Sequence, residues 1–117
     1  MDEVPERVRV VRSHITSAPD PVRFVPGEVL SVGHHDQRRR SYVWCTDQSG
    51  HSGWVPDFYL EMTGAHEATG LRAYDATELT VGPGEFLDVL EEAGGWLRGR
   101  TSSGHEGWVP SDIVEPV

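Results

Sequence analysis

The stretch that decides the fold is Gly107-Trp108-Val109-Pro110, which repeats an earlier Gly53-Trp54-Val55-Pro56 with an offset of 54 residues. A second pair of landmarks, Pro26-Gly27-Glu28 and Pro83-Gly84-Glu85, recurs with an offset of 57 residues. Recurrence of this kind is the sequence signature of a duplicated structural unit. The 117-residue chain is therefore predicted to contain two copies of one small unit.

Short segments rich in valine and aromatic residues predict strands, and frequent Gly and Pro residues disfavour long helices. Ser-Gly pairs at 49–50 and 103–104 predict tight hairpins in which the glycine has a positive φ. Five short strands per copy indicate a small closed barrel, so the predicted class is all-β. The predicted strands are 7–12, 28–33, 41–47, 51–56 and 60–62 in the first copy, and 70–74, 85–91, 96–101, 105–110 and 114–115 in the second. The predicted division is a first domain at 1–62, a linker at 63–69 and a second domain at 70–117.

Composition narrows the function. The net charge is −9, which disfavours a general nucleic-acid binder because such binding depends on many cationic contacts to phosphates. No apolar run is long enough to span a membrane, and the acidic start of the chain does not resemble a signal peptide. Together with a single cysteine, this predicts a cytoplasmic protein without an internal disulfide. All ten basic residues are arginine, which we interpret as the coding bias of a GC-rich bacterial genome.

The second copy carries motifs of a known family. Ala73-Tyr74-Asp75 resembles the opening Ala-Leu-Tyr-Asp-Tyr segment of the Src-homology-3 (SH3) domain, and Glu78-Leu79-Thr80-Val81 before Pro83-Gly84-Glu85 resembles its Glu-Leu-Ser-Phe-x-x-Gly-Glu segment. The segment 107–115 resembles the closing Gly-Tyr-Ile-Pro-Ser-Asn-Tyr-Val signature of that domain. The first copy resembles the same domain through Phe24-Val25-Pro26-Gly27-Glu28 and the segment 53–60, and its segment Ser41-Tyr42-Val43-Trp44-Cys45 resembles bacterial variants of that domain. The resemblance implies two SH3-like five-stranded barrels in tandem, and a non-catalytic interaction module without a cofactor.

In this family an aromatic shelf binds extended, proline-rich peptides, because flat rings form grooves for a helix that loses little entropy on binding. Carrying that shelf onto this chain gives a ligand-binding set drawn from both copies. In the first copy it comprises His14, Tyr42, Trp54, Pro56 and Tyr59, and in the second copy Tyr74, Trp96, Trp108 and Pro110. Alternatively, these aromatic residues only pack around a small barrel.

Strand parity and loop length refine the shelf. Tyr42 and Trp96 are predicted to face outward, whereas Val43, Cys45 and Leu97 are predicted to lie in the core. The second copy has a first loop about five residues shorter than that of the first copy, so its groove is predicted to be the weaker one.

In the first copy, Asp20 stands near the position where the family carries acidic groups that pair with a ligand arginine, or else forms a turn. The loop Arg38-Arg39-Arg40 beside the predicted shelf could hold an anionic ligand or the acidic second copy, or could be solvated.

Catalytic and metal sites are disfavoured. The spacing of His14, His34, His35 and His51 fits no closed metal site, and there is only one cysteine. Cys45 is predicted to be buried, which argues against a nucleophile. We therefore predict no enzyme activity.

Three functions remain open. The first is an adaptor that binds peptide segments, chiefly through the first copy. The second is a structural or assembly protein whose shelves are covered by the other domain or by a second chain. The third is ring stacking on glycans or nucleic acid, which the missing export signal and the acidity disfavour.

Overall fold

The computed structural model describes residues 7–16 and 20–117, and the part of the first predicted domain at 1–6 and 17–19 lies outside the described residues. The described residues form strands and two short 3₁₀ turns but no α-helix, which confirms the all-β class. The strands are β1 (Arg7–Val10), β2 (Arg23–Phe24), β3 (Val29–His35), β4 (Tyr42–Thr46), β5 (Ser52–Pro56), β6 (Leu60–Gly64), β7 (Glu67–Gly70), β8 (Tyr74–Asp75), β9 (Phe86–Ala93), β10 (Trp96–Arg100), β11 (Glu106–Pro110) and β12 (Val114–Pro116). The 3₁₀ turns are Asp57–Tyr59 and Ser111–Ile113.

The chain folds into two compact units, and one of them is discontinuous in sequence. This split unit contains residues 7–16 and Thr77–Val117. Its five-stranded sheet has the order β11-β10-β9-β1-β12, so β1 lies between two strands from the far end of the chain. Both pairings of β1 are antiparallel, with Val8 opposite Leu87 on one side and Pro116 on the other.

The second unit, Asp20–Ala76, is the continuous unit. Its sheet has the order β5-β4-β3-β7-β6, in which β7 lies between β3 and β6. A separate two-stranded pairing joins β2 to β8, with Phe24 opposite Tyr74. In both five-stranded sheets, three consecutive strands occupy the first three positions in reverse chain order, and the strand that follows a 3₁₀ turn occupies the fifth. The fourth position is filled by β1 in the split unit and by β7 in the continuous unit.

This arrangement differs from the predicted domain boundaries. The predicted linker 63–69 is not a linker, because β6 and β7 form a hairpin in which Gly64 lies opposite Glu67. The predicted strand 70–74 is replaced by β7, which ends at Gly70, and by the short β8. Local sequence pattern detects that a segment is a strand, but the partner of that strand depends on contacts far along the chain.

The remaining strands agree with the prediction to within a few residues. The predicted hairpin glycines are also confirmed, since Gly50 has φ 90° and Gly104 has φ 94°, values that residues with a Cβ rarely adopt. None of the described segments forms a helix with the length and hydropathy of a membrane span.

Valine and leucine side chains from β1 complete the core of the split unit. Val8 and Val10 are buried together with residues of the second copy. The other members of this cluster are Leu79, Val81, Leu87, Leu97, Val109 and Ile113. Because buried apolar area is the main favourable term in folding, β1 is an integral part of this unit.

Candidate functional site

The two compact units divide the predicted shelf residues differently from the two sequence copies. His14 of the first copy lies in the split unit, together with Trp96, Trp108 and Pro110. Tyr74 of the second copy lies in the continuous unit. The continuous unit also holds Asp20, Tyr42, Trp54, Pro56 and Tyr59. Each unit therefore receives one shelf position from the other copy.

In the split unit, three side chains meet at a partly exposed site. The imidazole of His14 lies edge-on to the indole of Trp96, with ring centroids 5.9 Å apart and an interplanar angle of 79°. Its Nε2 atom is 2.8 Å from Oε1 of Glu78. The side chains of His14 and Glu78 are each 19% exposed, so both remain accessible to a ligand.

Backbone pairing fixes these side chains. His14 and Val81 exchange two backbone hydrogen bonds of 2.9 Å each, which aligns the segment after β1 with the segment before β9. Glu78 is held on the other side, because the amide of Leu79 donates to the carbonyl of Trp108 and the amide of Trp108 donates to the carbonyl of Thr77. The imidazole and the carboxylate therefore extend from segments outside the strands that backbone hydrogen bonds tie to neighbouring segments.

Trp96 begins β10 directly opposite Pro110 of β11. Both residues are partly exposed, whereas Leu97 is buried, which confirms the predicted strand parity. Trp108 is only 4% exposed, so its ring serves packing in this unit. Ile113, at the end of the 3₁₀ turn that follows β11, is also buried.

In the continuous unit, the tyrosines of the predicted shelf are buried. Tyr42, Tyr59 and Tyr74 are 6%, 1% and 8% exposed. Burial raises the pKa of Tyr42 to about 12, only partly offset by the nearby charge of Arg39. The prediction that Tyr42 faces outward is therefore wrong, although Val43 and Cys45 do lie in the core as predicted.

These rings pack on one another and on nearby groups. Tyr59 and Tyr74 have ring centroids 4.8 Å apart, and the guanidinium of Arg72 lies 4.4 Å from the centroid of the Tyr59 ring. The hydroxyl of Tyr74 donates to the carbonyl of Trp54 at 3.2 Å. Pro56, opposite Tyr42 in the sheet, is fully buried. The tyrosines of this unit thus form packed structure and not an open groove.

A second aromatic cluster lies further along the same sheet. Trp44 and Trp54 are cross-strand partners with ring centroids 5.0 Å apart and an interplanar angle of 75°. His34 lies edge-on to Trp54, with a centroid distance of 5.4 Å. Both tryptophans are partly exposed and His34 is exposed.

The predicted charged positions of the first copy lie on the surface. Asp20 is exposed, and so are the residues of the Arg38-Arg39-Arg40 loop. Asp36 orders that loop, since its Oδ1 accepts from the amides of Arg38 at 2.7 Å and Arg39 at 3.0 Å. These two hydrogen bonds lower the pKa of Asp36 below its usual value.

Cys45 is fully buried, and burial raises the pKa of its thiol to about 11. A thiol of this kind is almost entirely protonated at neutral pH and is a poor nucleophile. Among the described residues, no group of three or more His, Cys, Asp and Glu side chains is arranged to hold a metal ion.

Glu78 is the site residue that sequence reasoning missed. It begins Glu78-Leu79-Thr80-Val81, which resembles the Glu-Leu-Ser-Phe segment of the SH3 domain, and this was the available signal. The short first loop of the second copy argued against a groove there. The structure removes that argument, because the segment facing Glu78 comes from the first copy and contains His14.

The all-strand architecture, with a 3₁₀ turn before the strand at the edge of each five-stranded sheet, is consistent with the SH3-like fold that the sequence resembles. Residues 70–117 match the family described as "Variant SH3 domain". SH3 domains are non-catalytic modules that bind protein or peptide partners. The matched segment does not coincide with either compact unit, because it begins at Gly70, in the continuous unit.

Two curated relatives illustrate the similarity. The mouse protein "Epidermal growth factor receptor kinase substrate 8-like protein 3" is 42% identical over 45 residues, covering 38% of this chain and 8% of that protein. The "High osmolarity signaling protein SHO1" of Mycosarcoma maydis is 36% identical over 66 residues, covering 52% of this chain and 18% of that protein. The chain thus corresponds to less than a fifth of the length of either protein.

Proposed function

We propose that this protein is a non-catalytic interaction module that binds extended peptides, and that its principal binding site is the Trp96 site of the split unit. The observation that carries the proposal is the conjunction of a partly exposed indole, an adjacent imidazole and a carboxylate 2.8 Å from that imidazole. Pro110, opposite Trp96, extends the apolar surface.

Each group has a chemical role in this proposal. The indole of Trp96 provides a flat apolar face for a proline ring of the peptide. The carboxylate of Glu78 is a charge-assisted acceptor for an arginine of the ligand. His14 shares that carboxylate and restricts its orientation. Such a small, shallow surface is expected to bind with an affinity on the order of micromolar.

The choice of unit differs from the sequence-based hypothesis, which favoured the first copy. The burial of Tyr42, Tyr59 and Tyr74 supports a packing role for the shelf of the continuous unit. For that shelf, the alternative of a structural or assembly function is the better proposal. Homodimerisation and a cytoplasmic location stay predictions.

The test measures binding of synthetic ten-residue proline-rich peptides that carry one arginine, by calorimetry or fluorescence anisotropy. Trp96→Ala is expected to weaken binding roughly 30-fold, because truncating a central interface aromatic costs about 2 kcal/mol. Trp44→Ala is the matched control, since it removes a partly exposed tryptophan from the continuous unit. Wild-type affinity in Trp96→Ala, or a loss confined to Trp44→Ala, would refute the assignment.

A charge variant separates the role of Glu78 from that of the ring. Glu78→Gln is expected to weaken binding of the arginine peptide while leaving an arginine-to-alanine peptide unaffected. Glu106→Gln is the control, because Glu106 is an exposed carboxylate of the same unit at the opposite end of β11 from Pro110. An equal effect of both variants would show that general charge, and not the Glu78 contact, governs the binding.

A further inference from the structure

We infer that strand β1 pairs with the strands of the second copy because of the size of one side chain, that of Val10, where the equivalent strand β7 has Gly70. The two copies thus exchange their first strands, β1 and β7, and neither copy by itself is a complete domain. This pairing of strands does not depend on which ligand the protein binds. It identifies the position between β9 and β12 as an acceptor for a strand with alternating arginine and valine.

Val10 and Gly70 occupy the same place in their respective units, as their hydrogen bonds show. The amide of Val10 donates to the carbonyl of Glu85, and the amide of Gly70 donates to the carbonyl of Glu28. Glu85 and Glu28 are themselves equivalent in the repeat of Pro-Gly-Glu. The equivalence of β1 and β7 therefore rests on the backbone and does not depend on side-chain similarity.

The carbonyl groups of Val10 and Gly70 are equivalent in the same way as their amides. The carbonyl of Val10 accepts from Gly84, and the carbonyl of Gly70 accepts from Gly27, at 2.9 and 2.8 Å. Position by position, Val8 then corresponds to Ala68 and Arg7 to Glu67. The two strands thus fill identical positions with very different side chains.

Steric fit makes the strands non-interchangeable. A Cβ atom at Gly70 would lie 2.6 Å from Cδ1 of Phe24 and 3.0 Å from the carbonyl oxygen of Val25. The valine of β1 therefore cannot occupy this place beside Phe24. In the split unit the position equivalent to Phe24 is Val81, and Val81 and Val10 belong to the same buried cluster.

In each unit the two side chains are complementary in volume. The continuous unit places Gly70 beside the large Phe24, and the split unit combines Val10 with the smaller Val81 in one buried cluster. If β1 took the place of β7 and β7 the place of β1, Val10 would overpack the continuous unit against Phe24. Gly70 would then leave a cavity beside Val81 in the split unit. Both overpacking and cavities in a close-packed interior are destabilising. The smaller Ala68 in place of Val8 would add to the cavity.

Charge favours the same choice. Arg7, Arg9 and Arg12 form ion pairs with Asp88, Glu115 and Asp112 respectively. With β7 in the place of β1, Glu67 would lie opposite Asp88, which places two like charges on neighbouring strands. Exposed pairs of this kind contribute modestly, so they reinforce the steric selection and do not replace it.

The first test locates β1 by disulfide formation in the full chain, in a Cys45→Ala background that removes the native thiol. Arg9→Cys with Glu115→Cys places two cysteines directly opposite each other in the observed sheet. Arg9→Cys with Glu61→Cys tests the alternative in which β1 takes the place of β7. In that arrangement Arg9 would lie opposite Glu61, because Glu61 lies opposite Thr69, the residue of β7 that is equivalent to Arg9. After mild oxidation, free thiols are counted in the monomeric fraction from size-exclusion chromatography.

We expect the 9–115 pair to oxidise within the monomer and the 9–61 pair to stay reduced. Oxidation of the 9–61 pair would overturn the inference. So would a 9–115 disulfide found only between chains in a dimer, because β1 would then belong to a second copy of the chain.

The second test addresses the steric selection. Gly70→Val is expected to lower the Tm by about 10 °C or more, because the new side chain overlaps Phe24. Thr69→Val is the matched control, since it introduces the same side chain one position earlier, at a partly exposed site. Equal Tm values for these two variants would refute the role of Gly70.

A reciprocal change makes the selection testable without loss of fold. The double variant Val10→Gly with Gly70→Val exchanges the two side chains between the strands. It is expected to raise the yield of the 9–61 disulfide relative to the 9–115 disulfide. An unchanged preference for 9–115 in the double variant would show that side-chain volume does not select the strand.

Discussion

Asp47 offers a sharp test of how the continuous unit is held together. Its side chain is only 2% exposed and lies at the turn between β4 and β5. Oδ2 accepts from the amide of Arg23 at 3.1 Å, and Oδ1 accepts from the amides of Ser49 at 2.9 Å and His51 at 3.0 Å. The carboxylate thus joins the segment before β3 to the hairpin turn.

Removing this carboxylate leaves three amides without their acceptor. A hydrogen bond to a charged group contributes about 1.5–3 kcal/mol, and a buried donor left unpaired costs about 1–3 kcal/mol. Because part of the turn is exposed and water can replace some of these bonds, Asp47→Ala is expected to lower the free energy of unfolding by about 3 kcal/mol. Urea titration at pH 7 followed by circular dichroism measures this difference.

The split unit provides the matched control. Thr101 occupies the equivalent turn position, and its hydroxyl accepts a single amide bond, from His105 at 3.1 Å. Thr101→Ala is therefore expected to cost only about 1 kcal/mol. Equal destabilisation by the two alanine variants would refute the reasoning that the number of accepted amide bonds sets the effect.

The effect of Asp47 should also depend on pH. Burial alone would raise its pKa, but the amides of Arg23, His51 and Ser49 outweigh it, and the pKa lies below the usual 3.8. A carboxyl whose folded pKa is depressed stabilises the fold above its unfolded pKa and loses that contribution as the pH falls through the folded value. The difference between wild type and Asp47→Ala should therefore be constant above about pH 5 and shrink below about pH 4. A difference that does not change with pH would contradict this account.

Two further outcomes follow from burial. Tyr42→Ala is expected to lower the free energy of unfolding by about 3 kcal/mol, because Tyr42 is only 6% exposed. A folded sample of this variant is expected to keep its peptide affinity at the Trp96 site, since Tyr42 lies in the continuous unit. Loss of peptide affinity without loss of stability would instead identify Tyr42 as a ligand contact. The thiol of Cys45 is expected to be inert to a disulfide reagent at pH 8 in native protein and to react as one equivalent in urea, because burial raises its pKa to about 11; rapid reaction of the native protein would show that this part of the core opens.

Much of the fold could be predicted because strands carry local signals. The alternation around Val43 and Cys45 predicted a core face, and Gly50 and Gly104 predicted positive-φ turns. These features depend on residues within a few positions of one another. The domain boundary failed because it depends on pairing between β1 and strands at the other end of the chain.

Most members of the site were predictable from the sequence, but Glu78 and the assembly of the site were not. Trp96 and Pro110 were recognised, and so was His14, but as part of the shelf of the first copy. The structure places His14 beside Trp96 and brings Glu78 to it, across a sequence separation of 64 residues. No local pattern predicts such a meeting, because it follows from which strand fills the place between β9 and β12.

The amino-acid sequence alone determined that the chain is built from strands, that it contains a duplicated pattern and that its second half carries the motifs of an SH3 domain. Only the tertiary structure decided which first strand joins which set of partners. The physical reason is that β1 and β7 make equivalent backbone hydrogen bonds in their respective units, so the backbone does not distinguish them, whereas the space beside Phe24 admits Gly70 and leaves no room for a Cβ atom.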